Sequence, residues 1–99
     1  MLYVIIGRDG PGSLGRRKHA RARHLERIGL LADLGRVAIA GPCPVEDLPD
    51  PTPAGFTGSV IIAEFDSLDE AREWMADDPY VTEGVFETWD VRPFIQVLP

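Results

Sequence analysis

Ninety-nine residues, 44% hydrophobic and 26% charged, describe one small globular domain of ordinary composition, spanning residues 1–99. The formal charge of −6 argues against general nucleic-acid binding, which needs a basic footprint. No apolar run approaches the ~18–20 residues of a membrane span, and a single cysteine, Cys43, excludes an internal disulfide, so the cytoplasm is the expected compartment.

The chain opens on an apolar run, Leu2 to Gly7, that reads as a first strand. Asp9-Gly10-Pro11-Gly12-Ser13 is a loop, with Ser13 placed to cap a long helix that runs to a glycine stop at Gly35. Arg36 to Ala40 is the second strand, closed by Gly41-Pro42. Cys43 to Gly55 is a proline-rich connection, and Phe56 to Phe65 is the third strand. Ser67-Leu68-Asp69-Glu70 is a capping box that starts a second helix, which Pro79 forces to end near Asp77. Asp78-Pro79-Tyr80-Val81 is a turn that can open one more helical turn. Val85 to Leu98 holds the fourth strand, with Pro93 at an edge or an interruption.

The order β-α-β-β-α-β predicts an α+β, ferredoxin-like plait: a four-stranded antiparallel sheet with both helices on one face. Leu2-Tyr3-Val4-Ile5-Ile6 and Val60-Ile61-Ile62-Ala63 are apolar on both faces, whereas a half-solvated strand alternates. The helices cover one face. A second copy of the chain is the expected cover for the other, giving a homodimer.

The long helix carries the unusual chemistry. Both histidines and six of the ten Lys and Arg residues lie between Arg16 and Arg27. At about 100° per residue, Leu14, Leu25, Ile28, Leu31 and Ala32 share one arc, and Arg17, Ala20, Arg21 and His24 fall on it too. The stripe is apolar toward its C-terminal end and basic toward its N-terminal end. This suggests a helix packed at one end and lining a cleft at the other, with His24 at the boundary. Arg16, Arg17 and Lys18 sit in the first turns, where the helix dipole disfavours positive charge; an anionic ligand or a nearby carboxylate would offset that.

From end to end the chain resembles the YciI-like (YCII-related) family. The resemblance is carried by Met1-Leu2-Tyr3-Val4-Ile5, Ala22-Arg23-His24-Leu25, Gly35-Arg36, and Ala40-Gly41-Pro42. It continues through Ala54-Gly55-Phe56-Thr57-Gly58-Ser59, Ile62-Ala63-Glu64-Phe65, Asp78-Pro79-Tyr80-Val81, Gly84-Val85 and Pro93-Phe94. It implies a dimeric α/β-barrel-type association and a cleft with a His–Asp pair, which map by motif onto His24 and Asp78. A relative in chlorinated-aromatic breakdown acts as a dehydrochlorinase, so the resemblance also implies acid/base chemistry on a small ring compound.

His24 is the strongest candidate because a histidine can give and take a proton near neutral pH, and a carboxylate would orient it. Asp33 points to the opposite side of the helix; Asp78, with Asp77 as runner-up, can approach from another element. Arg17 and Arg21 are candidates to hold a carboxylate or phenolate, or alternatively to form salt bridges. Ser59 is a candidate for the cleft wall or for a bulge at the start of its strand. Tyr80 and Trp89 are candidates for cleft, core or interface. Cys43 would be a nucleophile only if His24 reached it. His19 and His24 are about 140° apart on the helix and do not form a metal pair, and Gly10-Pro11-Gly12 lacks the lysine of a phosphate loop. No metal or cofactor is expected. Two readings follow: a lyase- or isomerase-type enzyme using His24 and Asp78, or a non-catalytic dimer that binds a small anionic or aromatic metabolite.

Overall fold

The computed structural model describes residues 1–50 and 52–99. Its elements in chain order are β1 (Leu2–Asp9), α1 (Ser13–Asp33), β2 (Val37–Pro44), a short 3-10 turn at Thr52–Ala54, β3 (Phe56–Glu64), α2 (Leu68–Ala76), α3 (Pro79–Thr82) and β4 (Phe86–Phe94). The strands form one antiparallel sheet in the order β2-β3-β1-β4. This is the ferredoxin-like plait expected from the element order. Pro93 is tolerated because β4 is an edge strand. Of the proline-rich connection, Pro51 lies outside the described residues. No helix among those described is long and apolar enough to cross a membrane.

The helix ends follow from local chemistry. Gly35 takes φ 71°, and its N–H and that of Arg36 return to the carbonyls of Ala32 and Leu31 at 2.9 and 3.0 Å. That pair of bonds closes the last turn of α1 in the left-handed conformation glycine adopts freely. Ser67 caps α2 by accepting from the Glu70 amide at 3.0 Å, and the Glu70 carboxylate reaches back to the Asp66 amide at 3.1 Å. At the start of α1 the sequence reading is corrected. Gly12, with φ 70°, is the cap position, and Ser13 is the first helical residue. Its hydroxyl is engaged elsewhere, donating to Asp9 Oδ2 at 2.6 Å.

Side chains alternate across the sheet. Tyr3, Ile5, Ile61, Ala63 and Val91 point toward the helices and pack with Ala20, Leu31, Ala71, Met75, Phe65 and Val85. Leu2, Val4, Ile6, Val60 and Ile62 are half-buried on the opposite face, where Ile39 is 64% exposed.

The face α1 turns to the core differs from the one expected. Its buried residues are Ser13, Arg17, Ala20, His24 and Leu31. Leu25 is 43% exposed and Ala32 is exposed, while Leu14 and Ile28 are partly buried. The helix carries two stripes about a quarter turn apart. Ser13-Arg17-Ala20-His24-Leu31 meets the body of the protein; Leu14-Lys18-Arg21-Leu25-Ile28 lines a cavity. A core stripe holding Arg, His and Ser cannot be found by hydrophobic periodicity, which instead picks out the cavity stripe.

Candidate active site

The site begins with a proline. Pro79 fixes the first position of α3 and confines Asp78 to extended backbone, φ −71° and ψ 140°. From there the Asp78 side chain folds back, and its Oδ1 accepts the Tyr80 N–H at 2.9 Å. The same Oδ1 lies 2.7 Å from His24 Nδ1, and Oδ2 accepts from Arg27 Nη1 at 3.0 Å. Asp78 is fully buried. Burial of a carboxylate is costly without partners, and these three satisfy it. A carboxylate that faces a guanidinium and a backbone N–H is an acceptor, so His24 supplies the proton at Nδ1. In the neutral ring that leaves the lone pair on Nε2, which has no hydrogen-bond partner among the described residues.

Two aromatic contacts hold this arrangement flat. The Tyr80 ring stacks on the His24 ring with centroids 3.7 Å apart and 9° between planes. Phe86 meets Tyr80 edge-on, at 5.6 Å and 88°. On the other flank, the Arg27 guanidinium lies over Trp74, 4.5 Å from the ring centroid, and this fixes the cation that faces Asp78. Burial pushes the Tyr80 phenol above its ordinary value of 10.0; the charges of Arg17 and Arg21 oppose this only in part.

A second buried ion pair stands beside the first. Arg17, 5% exposed, makes a two-pronged contact with Asp9: Nε to Oδ2 at 2.6 Å and Nη2 to Oδ1 at 2.8 Å. Nη2 also donates to Ser59 Oγ at 2.9 Å. The guanidinium is ringed by Phe56, Tyr80 and Phe86 at 4.9, 5.1 and 5.9 Å. This is the carboxylate that offsets positive charge in the first turns of α1. Arg16 is held by carbonyls instead, donating to Gly84 at 3.0 Å and Pro11 at 2.9 Å.

These groups surround a cavity of about 550 Å³ between α1 and the β2–β3 side of the sheet. His24, Arg17, Arg21, Ser59 and Tyr80 all line it, with Leu14, Leu25, Ile28, Phe56 and Ile61 as its apolar walls. Asp78 stands behind His24, outside the lining. The structure therefore brings His24, Asp78, Arg17, Ser59 and Tyr80 together, and sets Arg21 at the margin as an exposed residue. Asp77 is exposed and has no contact with His24. Ser59 is a cavity residue within β3, in regular register with Gly7 and Pro42; the irregularity at the start of the strand falls just before it, at Phe56–Gly58 opposite Cys43 and Pro44. Cys43 is exposed on the open face of the sheet, paired with Gly58, away from His24. His19 is on the surface beside Glu83.

Two site residues are absent from the sequence reading. The sequence pattern puts Asp9 in a loop, yet β1 continues through it. The signal was present: Tyr3, Ile5, Gly7 and Asp9 alternate onto the helix-facing side. Arg27 stands in the sequence only as part of a basic run, because its partners, Asp78 and Trp74, come from other elements.

The YCII-related domain matches residues 1–95 of the chain. The chain belongs to the YCII-related domain family. It is 52% identical over 97 residues to Protein YciI of Escherichia coli, covering 98% of this chain and 99% of that protein. An uncharacterized protein of Haemophilus influenzae is 44% identical over the same share. Among solved structures, this YCII-related domain superimposes on 5-chloro-2-hydroxyhydroquinone dehydrochlorinase from Burkholderia phenoliruptrix in complex with 2,5-dihydroxybenzoquinone. The TM-score is 0.85, with 29% identity over 96% of this chain and 94% of that one.

Proposed function

We propose that this YCII-related protein is an enzyme that moves protons on a small oxygenated ring compound, in a lyase- or isomerase-type reaction. The observation that carries the reading is His24: Nδ1 tied to a fully buried carboxylate at 2.7 Å, Nε2 unpartnered, and the ring on the wall of a cavity. His24 Nε2 accepts a proton from the bound compound, and Asp78 holds the ring in the required tautomer and stabilises the imidazolium. In an elimination the electron pair left behind expels an anionic leaving group from the ring; in an isomerisation the proton returns to another atom. The neutral Tyr80 phenol and the Arg17–Ser59 pair are placed to donate hydrogen bonds to ring oxygens as charge builds there. The flat His24–Tyr80 stack and the apolar walls favour a planar ligand. The likeness to a dehydrochlorinase supports a hydroxylated quinone or hydroquinone as the substrate type.

The test is turnover of halogenated and non-halogenated hydroxyquinones, followed by absorbance and by halide release, with wild type and His24→Gln side by side. Loss of turnover in a folded His24→Gln supports the reading. Equal rates in both proteins overturn it. We also propose that a second copy of the chain covers the open sheet face, where apolar side chains from β1, β2 and β3 are flanked by Arg8, Glu64, Asp90 and Arg92.

A further inference from the structure

The cavity has an electrostatic asymmetry that the proton-transfer groups do not use. In a chain with sixteen acidic residues and a net charge of −6, no Asp or Glu among the described residues lines it. Four groups capable of positive charge do: Arg17, Lys18, Arg21 and His24. Arg17 is neutralised by Asp9, and the charge on Asp78 behind His24 is neutralised by Arg27. Elsewhere on α1, Arg16 is held by backbone carbonyls and Arg23 by Glu83. Lys18 and Arg21 are left. Among the described residues neither has an ion-pair or hydrogen-bond partner, and both sit on the cavity stripe, between Leu14 and Leu25. Two positive charges therefore face the cavity uncompensated.

Their position is as informative as their charge. Three and six residues before His24, they lie roughly 4.5 and 9 Å from it along the helix axis. They reach the mouth of the cavity, one to two turns from the atom that takes the proton. Residues three apart are neighbours on a helix, so the two side chains can close on one group.

We propose that Lys18 and Arg21 form an anion-binding site at the cavity mouth, and that the ligand is a ring compound whose carboxylate or phosphate group is separate from the part that reaches His24. Arg17, already saturated by Asp9, is a hydrogen-bond donor to neutral or partly charged oxygen and not the anion receptor. The site takes ligand charge at one end and presents the ring to His24 at the other. This rests on reading the cavity as the ligand site; it does not rest on proton transfer.

The experiment is titration calorimetry with benzoate, phenyl phosphate and phenol as probes. They share one ring, and only the first two carry a full negative charge at neutral pH. The proteins are wild type, Lys18→Gln/Arg21→Gln, and Arg72→Gln as an exposed control for loss of positive charge. At low ionic strength one or both anions bind wild type about tenfold more tightly than phenol, as expected for charge-assisted contacts at a partly desolvated mouth. The preference shrinks toward unity at about 0.5 M salt and in the double variant, and persists in Arg72→Gln. The stronger of the two anions identifies the group. Equal binding of anions and phenol, no binding of any probe, or a preference that survives in the double variant overturns the proposal. An anion preference in a protein that turns over no ring compound leaves this site standing and removes the enzyme reading; turnover with no anion preference does the reverse.

Discussion

The rings of His24 and Tyr80 lie face to face, 3.7 Å between centroids and 9° from parallel, and a single carboxylate oxygen of Asp78 reaches both residues. It binds the imidazole of one and the backbone N–H of the other. The stack and the hydrogen bonds fix the histidine in position, tilt and tautomer.

Replacing His24 by Gln tests the nitrogen proposed to take the proton. Turnover on any substrate found should fall by roughly 10²–10⁴-fold, the usual contribution of a positioned acid/base group. Because Asp78 also loses a partner, the unfolding free energy should fall modestly, by about 1–3 kcal/mol. Steady-state rates and urea melts on the same preparation separate the two effects.

Asp78→Asn keeps a competent helix cap but removes the carboxylate. Nitrogen-15 NMR of the imidazole should show His24 protonated at Nδ1 in the wild type at mildly alkaline pH. In the variant it should be a mixture of tautomers, because an amide can either donate or accept. An unchanged single tautomer would mean that Asp78 does not set it.

Arg27 lies outside the cavity lining, yet its loss should be felt at the site. Arg27→Met leaves the fully buried Asp78 without its cation and strips Trp74 of its stacked guanidinium. We expect a loss of about 1–3 kcal/mol in urea melts. Arg27→Lys should recover only part of it, since an ammonium cannot stack flat while aiming a planar N–H at Oδ2.

The Tyr80 phenol gives a prediction for alkaline pH. Its affinity for the proton is raised in the folded chain, chiefly by burial. Above the ordinary value of 10.0 the unfolded chain releases this proton while the folded chain keeps it. The native state then binds more protons, and stability falls as pH rises. Below that value Tyr80 contributes no slope. Urea melts from pH 9 to pH 11 should show a decline that is shallower in Tyr80→Phe.

The open sheet face predicts association. Sedimentation velocity at micromolar concentration should give a dimer for the wild type. Ile39→Glu, which places a charge on an apolar side chain already 64% exposed, should give a folded monomer. A monomeric wild type would leave the face without a second copy as its cover.

The plait was legible because element order, glycine stops and the Ser67–Glu70 box are local signals. The pairing of His24 with Asp78 was legible through family resemblance, although the helix stripe alone singles out His24; the two lie 54 positions apart, and no periodicity joins them. The faces of α1 were not. Hydrophobic pattern assigns Leu14, Leu25 and Ile28 to the core, while the core in fact takes Arg17 and His24. Those two can be buried because Asp9 and Asp78 arrive from β1 and from the cap of α3. A sequence pattern on one helix carries no record of partners supplied by other elements. Asp9 was hidden for a smaller reason, a strand that runs two residues past the glycine expected to end it.

Asp78 uses one oxygen to orient the histidine and to start a helix. On the proposed mechanism, a chain without proton transfer would still need an acceptor there to hold Tyr80 in place. The aspartate can therefore outlast the chemistry. An aspartate at position 78 reports on the scaffold, whereas position 24 is the one on which the proposed chemistry turns.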